Sequence, residues 1–213
     1  MEKETVKFVP NTEDDTHCFQ SAFQMVVSTF DPEWKPTFEE VEEITAYQPG
    51  KGTWPLTGIL YLIKKGWQVK DIEVFDYRTF IDEPVDYLKE FYGPEASEYQ
   101  IRGTNIEHET EQAKRLLQTN ELEQRLPEIS DIDRLLDEGF LIICLVNSKA
   151  LRNKEGYVGH FVVVFDHDEY TFTIHDPGLP PIENEAIPKE QFLKGWESPS
   201  KMQRNIMAFR KPK

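Results

Sequence analysis

The sequence predicts an α+β fold, with helices in the N-terminal part, an antiparallel sheet in the C-terminal part and a cleft between the two. Three observations predict it. In the first 66 residues the apolar positions recur at helical spacing, at Ala22, Phe23, Val26, Val27 and Phe30 for example. From Phe140 onward they come instead as short strand-like runs, FLIICLV, GHFVVVFD and YTFTIHD. The change falls at Gly139, which closes the last amphipathic stretch before those runs.

Taken in order, a first helix is expected over residues 18–30, where Asp31-Pro32 stops it. Thr37 opens TFEE, a capping-box pattern in which Thr37 and Glu40 satisfy each other's free backbone donors, so a second helix should run to about Tyr47. A third, over about 54–65, ends at Gly66, and WQVKDIEVF then reads as a strand or an extended return. The region of about 77–128 reads as a helical insertion: IDEPVDYLKEFYG as a short helix and HETEQAKRLLQTNELEQRL as a long charged one with a solvated outer face. Ser130 and Asp133 suggest a further cap, starting SDIDRLLDEG. After the three strand-like runs, PKEQFLKGW reads as a short helix and NIMAFR as a last strand. With no repeat, low-complexity tract or Gly/Ser linker, residues 1–213 are taken as one domain.

Composition narrows the function. The 14 Phe, 8 Tyr and 4 Trp are too many for a disordered chain. A net charge of -15, without a Lys/Arg cluster, would repel phosphate backbones and argues against nucleic acid as a partner. The start, MEKETVKFVP, lacks the apolar core of a signal peptide, and LIICLV and FVVVF fall short of the roughly 20 residues that span a bilayer. A cytoplasmic protein without membrane contact is expected. Its two cysteines, Cys18 and Cys144, would remain thiols there.

Three places supply the parts of a thiol hydrolase. Cys18 opens the first helix, where unpaired backbone N–H groups and the helix dipole favour a thiolate. His160, in GHFVVVF, is a candidate base, and Asp176, in HDPG, could fix the tautomer of its ring. Register tests the pairing: a hairpin closed by the three residues His167, Asp168 and Glu169 would set His160 directly opposite Asp176, whereas a two- or four-residue loop would put them on opposite faces.

The pattern HCFQSAFQMVV near the N-terminus with GHFVVVFDHDEYTFTIHDPG far downstream resembles that of the bacteriocin-processing, double-glycine peptidase family of the papain-like superfamily. The resemblance covers the two ends of the chain well and the middle poorly. It implies a papain-like fold, a nucleophile at Cys18, a base at His160 and an orienting residue at Asp176, with a peptide or amide as substrate and no cofactor. Two positions depart from the pattern. Where the family usually carries a Gln whose amide helps hold the oxyanion, this chain has Thr12, with Asn11 beside it as the other oxyanion candidate. Where Gly often follows the nucleophile, Phe19 stands here.

The implied activity is that of a cysteine hydrolase working through a thioester acyl-enzyme. An acyltransferase would use the same three residues, and a relative that has lost catalysis could keep the cleft for binding peptides or proteins. Cys18, His160 and Asp176 are also legitimate zinc ligands, although the sequence lacks the close-spaced pairs of a metal site. Cys144, inside LIICLV, reads as a core thiol. His17 is expected at the flank of the cleft, His175 on the opposite side of its strand from Asp176, and His108 and His167 in solvent.

Overall fold

The computed structural model describes residues 6–212. The leader reading of MEKETVKFVP therefore falls in part on residues outside the described ones. Helices α1 (Cys18–Phe30), α2 (Phe38–Thr45) and α3 (Leu56–Lys64) come first, followed by strand β1 (Gln68–Glu73). Helices α4 (Tyr77–Asp82), α5 (Pro84–Gly103) and α6 (Ile106–Leu116) lead to β2 (Leu122–Gln124) and α7 (Ile129–Asp137). The C-terminal part runs β3 (Leu141–Asn147), α8 (Ser148–Leu151), β4 (Gly159–His167), β5 (Thr171–Asp176), β6 (Ile182–Pro188), α9 (Lys189–Trp196) and β7 (Asn205–Arg210).

The strands form one seven-stranded sheet in the order β2-β1-β7-β3-β4-β5-β6. Its ladders are antiparallel except for β1 with β2. Both faces are covered, which is why β3 and β4 read as continuous apolar runs. On one face Phe161 and Val163 pack with Phe19 and Phe23 of α1 and Ile59 of α3; on the other, Val162 and Val164 pack with Leu135 of α7 and Phe192 of α9. Cys144 faces the second of these cores and is fully buried, and burial pushes its thiol far up.

Helices α1 and α2, strands β3, β4, β5 and β7 and helix α9 lie where the sequence pattern places them, and the Thr37–Glu40 capping box forms in both directions, at 3.2 and 2.7 Å. The middle differs. HETEQAKRLLQTNELEQRL is not one long helix: the Thr119 hydroxyl donates to the Leu116 carbonyl at 2.7 Å and accepts from the Glu121 N–H at 3.4 Å, ending α6. The chain then joins the sheet edge, Asp71 opposite Leu122. The short helix expected at IDEPVDYLKEFYG is two: α4, capped by Asp76, and α5, which starts at Pro84, is broken at Gly93 (φ 74°) and continues to Gly103.

Helix α7 begins at Ile129, ahead of the expected Ser130 cap, because Asp131 accepts from the Glu128 N–H at 3.0 Å and is clamped by both guanidinium nitrogens of Arg125 at 2.8 Å. Strand β6 carries no apolar alternation, since it is an edge strand whose side chains are mostly outside the core, and its sequence does not announce it.

Candidate active site

The β4–β5 hairpin departs from the simplest register and still brings His160 to Asp176. Val163 pairs with His175 and Val164 with Ile174, but beyond a bulge at Phe165 the pairs are Asp166–Thr173 and His167–Phe172. The loop is therefore not the expected three residues: 168–171 lie between the last paired residues, a length that alone would put the two side chains on opposite faces. The bulge adds one residue to β4 and restores the parity. His160 then lies two residues out of direct opposition to Asp176, on the same face, and its Nε2 meets Asp176 Oδ1 at 2.7 Å.

Both groups are 6% exposed. Burial alone would lower the His160 pKa, but the hydrogen bond it gives to Asp176 and the interaction with the Cys18 thiol outweigh it and raise the imidazole to about 10. With Nε2 engaged by Asp176, Nδ1 is the ring nitrogen left for the sulfur. For Asp176 burial pushes up, and the His160 contact, the Gly178 N–H at 2.9 Å and Arg152 outweigh it, lowering the carboxyl to about 2. The geometry is that of an imidazole held between a thiol and a carboxylate.

Asp176 has a further partner that sequence reasoning missed. Arg152 Nη2 donates to Asp176 Oδ2 at 2.5 Å and to Glu185 Oε2 at 2.8 Å, and its Nη1 bonds the other Glu185 oxygen. Arg152 follows α8, Glu185 sits on β6, and no spacing in the sequence links either to Cys18, His160 or Asp176. Gly178 did carry a signal, the turn DPG: a Cβ there would lie 3.0 Å from Asp176 Oδ1 and 3.2 Å from His160 Nε2, so only glycine leaves room.

Cys18 is partly exposed at the first position of α1 and lines a cavity of about 500 Å³. The loop before it is fixed by Asn11, which is buried. Its Oδ1 accepts from the His17 N–H at 2.7 Å, its Nδ2 donates to Asp15 Oδ1 at 2.7 Å, and its backbone N–H donates to the Pro177 carbonyl at 2.9 Å. Asn11 thus ties the start of α1 to the Asp176 turn. Thr12 is directed elsewhere: its hydroxyl bonds Asp14 Oδ1 at 2.6 Å and His17 Nδ1 at 2.9 Å.

His17, expected at the flank of the cleft, lies between two residues that line the cavity, and its side chain is buried. It is 6% exposed, with Nε2 on Glu42 Oε1 at 2.7 Å and its ring 4.2 Å from that of Tyr47. The imidazole at 17 anchors the loop to α2, while the thiol at 18 lines the cavity. His175 is buried, bonded to the Val6 carbonyl at 3.0 Å and accepting from the Asn184 N–H. His108 and His167 are partly buried rather than solvated, the first against Thr57 and the second between Asp133 and Asp137. Among the described residues no group of three or more His, Cys, Asp or Glu could hold a metal ion, and no helix is long and apolar enough to cross a membrane.

The fold is similar to that of two solved C39-type peptidase domains. The crystal structure of the peptidase domain of Streptococcus ComA, a bi-functional ABC transporter involved in quorum sensing, superimposes with a TM-score of 0.51 at 14% identity, over 98% of this chain and 100% of that one. A C39-like peptidase from Bacillus anthracis gives a TM-score of 0.57 at 12% identity, over 98% and 96%. No protein-family profile and no curated protein matches the sequence.

Proposed function

We propose that the chain is a papain-like cysteine peptidase or amidase with Cys18 as nucleophile, His160 as base and Asp176 as the residue that orients the base. The observation that carries the reading is the His160 ring, held by Asp176 at 2.7 Å and raised in pKa by Asp176 and the Cys18 thiol, beside a cavity that Cys18 lines. The Cys18 sulfur attacks an amide carbonyl and the C–S bond forms; the thiol proton passes to His160 and then to the leaving amine as the C–N bond breaks. Water, deprotonated by the same imidazole, releases the acid from the thioester.

The developing oxyanion needs donors. Cys18 contributes its own N–H at the helix start, and an Asn side-chain amide has two hydrogens, of which Asn11 gives one to Asp15. The second serves as the other donor in this reading. Thr12 drops out of that role because its single hydroxyl hydrogen is engaged beside Asp14. One observation favours a rival reading, a binding protein without turnover: both side chains at the expected oxyanion position already have partners.

The test is the rate of Cys18 alkylation by iodoacetamide from pH 4 to 9, with Cys18 and Cys144 read separately by peptide mass spectrometry, in the parent chain and in His160→Ala. Fast labelling of Cys18 that persists below pH 7 and collapses in His160→Ala is expected. Labelling that follows an ordinary thiol, rising only near pH 8.5, and ignores the substitution would favour the binding protein.

A further inference from the structure

The cavity that begins at Cys18 does not end near the triad. Its floor crosses the sheet from Gly159 and Phe161 on β4, past Leu145 on β3 and Met207 on β7, to Asp71 and Glu73 on β1. Asp71 and Glu73 alternate along β1 and so share a face, that of Val69 and the α1 core. A strand position packed against a core is an unfavourable place for one carboxylate, let alone two.

Asp71 is 1% exposed, lines the cavity, and its Oδ2 is buried with no hydrogen-bond partner. Glu73 receives the Tyr77 hydroxyl on Oε1 at 2.5 Å. Burial first, and then Glu73, raises the Asp71 carboxyl well above the usual range; burial raises Glu73 to about 7 against the Tyr77 hydrogen bond. Asn205, opposite Glu73 in the ladder, gives its amide hydrogens to the Leu145 and Gln203 carbonyls at 3.0 and 2.9 Å. Lys51 and Arg102 also line the cavity, but both are exposed, and neither contributes to the electrostatics of the two acids. An unpartnered buried acceptor on a residue that lines an aromatic-walled cavity is a place where a bound donor would be favoured.

We propose that Asp71 and Glu73 form a subsite for a basic side chain, arginine or lysine, of a peptide whose scissile bond lies at Cys18. The proposal rests on the peptidase reading for the position of that bond. A guanidinium or ammonium group would supply donors to Asp71 Oδ2 and the free oxygen of Glu73, and the rings of Phe75 and Tyr92 would flank it. From β4 to β1 is three strand steps, about 14 Å at ~4.8 Å each. That span corresponds to about four extended residues, so the basic side chain belongs to one of the four residues next to the scissile bond. Helix α5, with Phe91, Tyr92 and Tyr99, forms a wall of this subsite, which gives the region of 77–128 a purpose.

The experiment is affinity labelling of Cys18 by two peptide series, N-iodoacetyl peptides and peptidyl chloromethyl ketones, which approach the thiol from its two sides. Each series carries arginine, or its neutral isostere citrulline, at the first to fourth residue from the reactive carbon. The quantity read is the arginine-to-citrulline rate ratio at subsaturating peptide, in the parent chain, Asp71→Asn and Glu73→Gln. Because both peptides meet the same sample, partial misfolding of a variant lowers both rates and leaves the ratio. A ratio of about tenfold or more at one position, falling toward one in both variants, is expected. A ratio of one at every position in both series, or a ratio that both substitutions leave intact, overturns the subsite. A Cys18 thiol that is slow and indifferent to His160→Ala, together with a ratio that still collapses in Asp71→Asn, would sink the peptidase reading and leave the cation site standing.

Discussion

Arg152 and Asp176 meet at 2.5 Å through Nη2 and Oδ2, on the carboxylate oxygen that His160 does not use. The two oxygens of Asp176 thus face opposite ways, one to the imidazole and one to a guanidinium that Glu185 holds in turn. Such an arrangement fixes the plane of the carboxylate, and through it the ring. Arg152 is a positioning residue in this view. Arg152→Ala should slow iodoacetamide labelling of Cys18 at pH 6 about tenfold, the effect of losing one charge-assisted hydrogen bond. The limb of the pH profile set by His160 should also move, a change that loss of packing alone would not cause, and Arg152→Lys should restore part of it. An unaltered profile in Arg152→Ala would reduce the contact to a surface ion pair.

The two shifted groups make opposite predictions for stability against pH. His160 is raised from 6.5 to about 10 in the folded chain, so its contribution is complete below 6.5 and is lost as pH rises through 10. Asp176 is lowered from 3.8 to about 2, so its contribution is complete above 3.8 and is lost as pH falls through 2. Thermal unfolding of the parent chain should show both declines. In His160→Gln the alkaline decline should flatten between pH 6.5 and 10, and an unchanged alkaline limb in that variant would mean that the imidazole is not the group responsible.

Gly178 offers a separate test of how tightly the pair is held. A methyl group there would lie 3.0 Å from Asp176 Oδ1 and 3.2 Å from His160, too close for either to stay in place. Gly178→Ala should cost about 10²-fold in turnover, the effect expected of a displacement near 1 Å at a reacting group. Because the site lies in a turn outside the two cores, melting should shift by only a few degrees. A variant that keeps full activity would show that the turn relaxes without moving the ring.

Periodicity and punctuation located most of the fold. The α1 stripe, the Thr37 cap, the Gly139 stop and the apolar runs of β3 and β4 all rest on local rules, and local structure obeys them. What escaped depends on partners distant in sequence. The strand at Leu122–Gln124 exists because β1 offers it an edge, and edge strand β6 has no buried face to mark it. Cys18, His160 and Asp176 were legible as types in a pattern, although the simple hairpin register was not what joined the last two: a bulge at Phe165 offset a longer loop. Arg152 and Glu185 left no trace, because an ion pair 33 residues apart in sequence has no periodicity. Asp71 and Glu73 did leave one, two acids on the same side of a strand that should be half-buried.

The last prediction separates the two duties of Asn11. As an acceptor it fixes the His17 N–H at the start of α1, and as a donor it reaches Asp15, with one amide hydrogen left over for an oxyanion in the proposed mechanism. Asn11→Ala removes everything and would confound folding with chemistry. The exchange Asn11→Asp with Asp15→Asn is more informative: the acceptor for the His17 N–H remains, and the 11–15 hydrogen bond survives with its direction reversed. The donor at position 11 disappears, and one carboxylate moves from position 15 to position 11 with the net charge unchanged. Alkylation by iodoacetamide forms no oxyanion, whereas amide hydrolysis does, so the two reactions should part company. Labelling of Cys18 should stay within about twofold of the parent rate while hydrolysis of any peptide the parent cleaves falls about 10²- to 10³-fold, the usual cost of one oxyanion donor. Equal hydrolysis by the double variant would assign the oxyanion to the Cys18 N–H and to some donor other than Asn11.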